Sequence, residues 1–398
     1  MSRSGPRPLP LHLMLGAARS LAAMTMPPSC APGWPSWSAG WPISNPDEAS
    51  RIGQALAVGG IAPEAFRAAV LRRLLHEDAA LLHGIATYRR HPHRRTLPDP
   101  PEFWREGSAR ILDHGGTGPD ILFVPSLVNR SHVLDLDEGA SMMRFLAGGG
   151  VRPLLLDWGW PGAAERAMTL TDHVAGRLER ALLALPGPVV LAGYCMGGLL
   201  AVAAAQRRPE RIRALVLLAT PWDFHADPKA AEVARLLPRL EAMMQSTGAL
   251  PVDAIQSLFA LLDPFALAAK FRAFGRLDQA SDRARRFVVL EDWLNDGVPL
   301  PAPVAREAIG GWYGVNSPAR GEWRVAGLPV RPTDWTGPTF IAIPSRDRIV
   351  PPDSARALAA ALPQAHVHMA RAGHVGMVAG QSAEAVLWRP LLEWLRGG

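Results

Sequence analysis

Cysteine and lysine are scarce in this chain, and both shortages narrow its chemistry. Two cysteines in 398 residues, Cys30 and Cys195, cannot staple a small secreted scaffold, and this usage fits a reducing, cytoplasmic setting. Lys229 and Lys270 are the sole lysines among 42 basic residues; the rest are arginines, spread in ones and twos such as Arg207-Arg208 and Arg285-Arg286. The formal charge of +6 therefore forms no basic stripe. Without zinc-finger spacing or an aromatic RNA-binding signature beside it, nucleic acid is not an expected partner. Long apolar runs are missing too. The best, Leu9 to Met26, is broken by His12 and Arg19, so no transmembrane segment is expected, and the lack of a small-residue cleavage site argues against a secretory signal. His91 and His93 stand two apart with no carboxylate or cysteine next to them, which reads as a solvated turn. No metal site or dinucleotide fingerprint is visible, so no cofactor is expected.

What is present is apolar: 48% of residues against 20% charged, the balance of a folded globular chain. Residues 1–45 are rich in Pro, Ser, Trp and Met and read as an irregular N-terminal arm. Its Trp34, Trp37 and Trp41 either lie on the protein's own surface or meet a partner. Residues 46–107 read as a helical N-terminal extension, with Phe66, Val70, Leu74 and Leu81 at helical spacing in a helix expected to pack on the main domain. Over 108–220 short apolar runs at 121–124, 154–156, 189–192 and 215–218 alternate with amphipathic helices, and a further run follows at 340–343. This order predicts an α/β fold with a mostly parallel, doubly wound sheet whose site lies at the carboxyl ends of the strands. The alternation lapses over 221–332, read as a helical cap insertion, and resumes over 333–398.

The sharpest local signal is the apolar run Val189–Ala192 passing into Gly193-Tyr194-Cys195-Met196-Gly197 and then an alanine-rich helix. This is a nucleophile elbow with cysteine in place of serine. Its glycines are needed because side chains there would strike neighbouring backbone, and the helix N-terminus favours a thiolate at Cys195. The acid and base follow in the order this elbow requires: Asp347 in the loop after one late strand, His374 in the loop after the next. His374 is expected to deprotonate Cys195 and Asp347 to orient the imidazole. The oxyanion donors expected are the Met196 N–H and that of Leu127 or Val128, in the loop after the first parallel strand. Asn129, Arg130 and Tyr194 are the candidate substrate contacts, and Arg130 or Arg346 could meet phosphates. His173, His225, His366 and His368 read as structural, and Asp157, which also ends a strand, as a residue behind the site.

With these pieces in order, residues from about 121 to 380 resemble the polyhydroxyalkanoate synthases, in particular the class III and IV catalytic subunits of the α/β-hydrolase superfamily. The resemblance rests on Asn129-Arg130 followed by Leu134-Asp135-Leu136, Asp157-Trp158-Gly159, Leu290-Glu291-Asp292-Trp293, Trp312-Tyr313, the Asp347 to Pro351 loop and Gly373-His374-Val375-Gly376. It implies an α/β-hydrolase fold and an acyltransferase that takes (R)-3-hydroxyacyl groups from coenzyme A and carries the growing chain as a thioester on Cys195. His374 would be the base and Asp347 would assist the incoming 3-hydroxyl. The implied partners are an acyl-CoA substrate, a second synthase subunit or a second copy, and a polymer granule surface. His132 stands where the family usually has Tyr and Leu199 where it commonly has Thr. The same constellation serves a cysteine esterase or thioesterase, and a granule-binding role for the tryptophan-rich arm is a third reading.

Overall fold

A computed structural model describes residues 3–24, 51, 54–228 and 230–397 and divides the chain into two compact units. The larger comprises Pro92–Leu262 and Arg285–Gly398. Its centre is an eight-stranded sheet: β1 Glu102–Glu106, β2 Ala109–Asp113, β3 Asp120–Val124, β4 Arg152–Asp157, β5 Val189–Tyr194, β6 Ile212–Leu218, β7 Thr339–Pro344 and β8 Ala365–Ala370. The spatial order is β1-β2-β4-β3-β5-β6-β7-β8. β1 and β2 form an antiparallel hairpin, β2 runs antiparallel to β4, and all later neighbours are parallel.

The parallel strands are buried on both faces, which is why they read as uninterrupted apolar runs. Leu122, Leu191, Leu215, Leu217 and Ile341 point into one apolar layer, and Phe123, Val190, Val216 and Phe340 into the other. Helices flank both layers, among them Met196–Arg207, which is buried over Met196–Ala205. The expected α/β sheet is therefore present, but it begins earlier than residue 108. β1 is an edge strand whose Glu102, Phe103 and Arg105 are exposed, so no apolar run announces it.

The smaller unit, Met1–His91 with Asp263–Ala284, contains helices Leu9–Met24, Pro63–Arg90 and Ala266–Phe274. The arm is thus not irregular over Leu9–Met24. Arg19 pairs with Glu77 at 3.2 Å and Asp78 at 2.7 Å, and the Ser20 hydroxyl donates to Asp78 at 2.7 Å, tying the first helix to the second. The Phe66–Leu81 helix, expected on the main domain, belongs to this unit instead. So does 263–284: Pro264 ends Val252–Leu262, and Ala266–Phe274 packs on Pro63–Arg90 with the Tyr88 and Phe271 rings edge to face at 5.6 Å. The 221–332 segment is consequently not one insertion. His91 is buried with Nε2 3.0 Å from the Gln279 carbonyl, and His93, in the larger unit, pairs with Asp137 at 3.0 Å, so neither is a solvated turn residue. Cys30 and the three arm tryptophans lie outside the described residues. No single helix among the described residues is long and apolar enough to cross a membrane.

Candidate active site

Cys195 sits between β5 and helix Met196–Arg207 with φ 55° and ψ −128°, a left-handed conformation that a side chain adopts only under constraint. The constraint comes from close packing. A Cβ on Gly197 would lie 2.0 Å from the Val124 carbonyl oxygen, and one on Gly193 2.3 Å from Gly198 Cα. The Cys195 N–H donates to the Leu218 carbonyl at 2.9 Å, pinning the turn to the end of β6. The helix therefore starts directly under the thiol, with the Met196 N–H in its unpaired first turn.

Asp347 follows β7 and His374 follows β8, both at carboxyl ends and both buried. Asp347 Oδ1 accepts the N–H groups of Ile349 at 2.8 Å and Val350 at 2.9 Å. Its Oδ2 accepts from His374 Nδ1 at 2.7 Å. That bond leaves Nε2 as the imidazole nitrogen free to serve Cys195. Burial alone would lower the His374 pKa, but the opposing charge of Cys195 and the Asp347 carboxylate outweigh it and raise the value to about 10. Tyr194 packs on the His374 ring with centroids 5.2 Å apart and its hydroxyl 3.4 Å from the His374 carbonyl. Burial, with the charges of Cys195 and Asp347 behind it, raises the Tyr194 pKa.

The three residues meet at a cavity of about 300 Å³. Cys195, Met196, Tyr194 and His374 line it, as do Val128, Asn129 and Arg130. Asp347 stands behind His374 and does not line it. Leu127 is buried and away from the wall; Val128 is on the wall, with its N–H donated to the Ser126 hydroxyl at 3.1 Å. Arg130 reaches Asp296 at 3.4 Å and lies over the Trp160 ring at 6.0 Å, while its carbonyl accepts from Trp293 Nε1 at 2.8 Å. Arg346 is exposed, bonds to the Arg371 carbonyl at 2.9 Å and stays outside the cavity, where Arg348 lines the wall.

Most of the remaining wall is apolar and went unrecognised in the sequence: Leu250, Ile255, Leu258 and Phe259, then Ile309, Trp312 and Tyr313 from the π-helical segment Glu307–Gly314. Tyr313 packs edge to face on Phe224 at 4.9 Å, and burial with the nearby Cys195 charge pushes its pKa to about 12. The spacing of these residues carries a helical period, the one signal available, but core residues share it. Asp157 pairs with Arg110 at 3.1 Å in a separate polar cavity of about 180 Å³ that also holds His114, His132 and Asp135 and shares Arg130 with the first. Burial lowers both His114 and His132 to about 4, so these imidazoles are neutral. His173 is buried with Nδ1 2.9 Å from the Thr169 carbonyl, His225 meets the Tyr313 carbonyl at 3.0 Å, and His366 and His368 stack on Phe340 at 5.6 and 5.7 Å. No cluster of ligating side chains able to hold a metal occurs among the described residues.

Residues 114–380 match the family described as alpha/beta hydrolase fold. The poly(3-hydroxyalkanoate) polymerase subunit PhaC of Allochromatium vinosum is 28% identical over 283 residues, covering 69% of this chain and 80% of that protein. The subunit of the same name from Synechocystis sp. is 26% identical over 292 residues, covering 69% of this chain and 77% of that protein. Among solved structures, a thermophilic esterase from Thermogutta terrifontis aligns at 21% identity and a TM-score of 0.46, covering 73% of this chain and 93% of that one.

Proposed function

We propose, for a chain that belongs to the alpha/beta hydrolase fold family, that it is an acyltransferase that polymerises (R)-3-hydroxyacyl groups from coenzyme A thioesters into polyhydroxyalkanoate through Cys195. The observation that carries this reading is the hydrogen-bonded line from Asp347 through His374 to a cysteine at the wall of an apolar cavity. The similarity to two poly(3-hydroxyalkanoate) polymerase subunits supports the substrate class.

The chemistry follows from the residues. His374 Nε2 takes the thiol proton of Cys195, and the imidazolium, held by Asp347, steadies the thiolate. The sulfur attacks the thioester carbonyl, and the oxyanion is met by the Met196 N–H with a second donor from the 127–128 turn. Collapse expels coenzyme A thiolate, which takes the proton from His374. The acyl group is then held as a thioester of nearly the same energy as the one broken, which is the reason a thiol serves here better than a hydroxyl. In the second half-reaction His374, oriented by Asp347, accepts the proton of the 3-hydroxyl of another acyl unit. That oxygen attacks the Cys195 thioester, an ester forms, and the sulfur leaves. The apolar wall disfavours water as the competing acceptor.

The test is incubation with (R)-3-hydroxybutyryl-CoA, following free thiol and product mass, beside Cys195→Ala. Cysteine-dependent release with oligomeric ester is the expected result. Release yielding only 3-hydroxybutyrate would make the protein a hydrolase on the same scaffold. No release, alone or with a candidate partner subunit, would refute the acyl-transfer reading.

A further inference from the structure

The catalytic cavity is apolar, yet two side chains on its wall carry buried polar atoms with no protein partner: Asn129 Oδ1 and Trp312 Nε1. Buried acceptors and donors are almost always paired, so each unpaired one calls for an explanation. The surrounding donors near Asn129 are committed elsewhere. Trp293 Nε1 donates to the Arg130 carbonyl at 2.8 Å, Gln256 Nε2 to the Leu294 carbonyl at 3.1 Å, and the Val128 N–H to Ser126 Oγ at 3.1 Å. Trp312 is fixed by its neighbours, edge to face on Trp323 at 5.3 Å and tilted against Phe224 at 5.6 Å, and neither offers an acceptor oxygen to the indole N–H.

One orphan is an acceptor and the other a donor, so the complementary occupant brings a donor and an acceptor on an otherwise apolar body. A plain fatty acyl chain has neither beyond its thioester. A hydroxyacyl chain has both: its hydroxyl donates, and the ester carbonyl of an extended chain accepts. The cavity volume of about 300 Å³ reaches the range of whole small-ligand pockets, so it has room for more than one four-carbon unit.

Building on the acyl-transfer reading above, we propose that Asn129 and Trp312 are specificity-determining residues that select oxygen-bearing acyl chains over plain ones. Asn129 Oδ1 accepts from the chain hydroxyl, and Trp312 Nε1 donates to an ester carbonyl further along. A site with a buried hydrogen-bonding atom rejects an analogue that leaves the atom unpaired, whereas an apolar pocket cannot discriminate strongly.

The experiment measures the rate of Cys195 acylation by intact-protein mass in two matched comparisons: (R)-3-hydroxybutyryl-CoA against butyryl-CoA, and the hydroxybutyryl dimer thioester against octanoyl-CoA. The full-length wild-type chain is expected to favour the oxygen-bearing member of each pair by about tenfold to a hundredfold, the range of one unpaired buried group. Asn129→Leu should collapse the first ratio and Trp312→Phe the second, each leaving the other ratio in place. Equal wild-type rates within each pair overturn the inference while the acyltransferase reading stands. Variants that slow both members of a pair equally also overturn it, since that is what a purely structural role does. Acylation by none of the four thioesters removes the acyltransferase reading and the inference with it.

Discussion

Replacing Asp347 with Asn preserves shape and removes one charge, and the structure dictates what the amide must do. Asp347 Oδ1 accepts two backbone N–H groups, from Ile349 and Val350. An NH2 group placed there would face two donors and forfeit both bonds, leaving buried N–H groups unpaired at about 1–3 kcal/mol each. The amide oxygen therefore takes the Oδ1 position, and the NH2 faces His374 Nδ1, where the carboxylate now accepts at 2.7 Å. Two donors cannot share that contact, so His374 shifts its proton to Nε2. The nitrogen facing Cys195 is then a donor and cannot take the thiol proton. In a serine protease triad the same exchange costs about 10⁴ in turnover, and a loss of about 10³–10⁴ in Cys195 acylation is expected here, about 4–5 kcal/mol at 1.36 kcal/mol per tenfold. Rapid-quench mass measurement of acyl-Cys195 gives the rate, and imidazole ¹⁵N shifts give the tautomer. A variant within tenfold of wild type, with Nδ1 still protonated, would refute the argument.

Three further outcomes follow from the same geometry. Cys195→Ala removes the largest influence holding His374 up, so its midpoint should fall from about 10 in an NMR titration; an unchanged midpoint would dissolve the proposed ion pair. Because the native value lies above the model 6.5, the stabilisation it represents is complete below pH 6.5 and is lost as pH rises through about 10. The wild-type advantage in denaturant midpoint over Cys195→Ala should shrink across that window. His114 and His132 act in the opposite direction: both are held down at about 4, so the unfolded chain binds protons that the native one refuses as pH falls from 6.5. The loss should reach on the order of 3 kcal/mol per residue by pH 4, and urea midpoints of His114→Phe should fall less steeply with acid than those of wild type. In the smaller unit, a Cβ on Gly84 would sit 2.1 Å from the Phe271 carbonyl oxygen, which is backbone and cannot swing aside. Gly84→Ala should cost about 1–3 kcal/mol by thermal or denaturant unfolding; a neutral effect would contradict that packing.

The parallel strands and the elbow were legible because each is written locally. A strand buried on both faces must be apolar at every position, so 121–124, 189–192 and 340–343 announce themselves without reference to partners. The Gly-x-Cys-x-Gly turn is equally local, since the Val124 carbonyl lies where a Gly197 side chain would go. The acid and base were legible for a different reason: chain order and position after a strand restrict the candidates to Asp347 and His374. The Leu9–Met24 helix carries no such mark. Leu9, Leu11, Leu13 and Leu15 alternate with a period of two, and the helix is fixed instead by Arg19 and Ser20 meeting acids nearly sixty residues away. The transfer of 263–284 to the smaller unit is non-local in the same way, resting on contacts such as Tyr88 with Phe271.

The wall of the cavity shows the deepest version of this limit. Ile255, Leu258, Ile309 and Trp312 have the spacing of core residues because the forces that bury a side chain against protein and against an apolar ligand are the same. Periodicity reports burial and cannot say by what. Unpaired polarity breaks that degeneracy: a core that had only itself to satisfy would have no reason to keep an acceptor on Asn129 and a donor on Trp312 without partners. A folded chain's hydrogen-bond accounts close within the protein wherever the task is packing, and stay open where something from outside is to complete them.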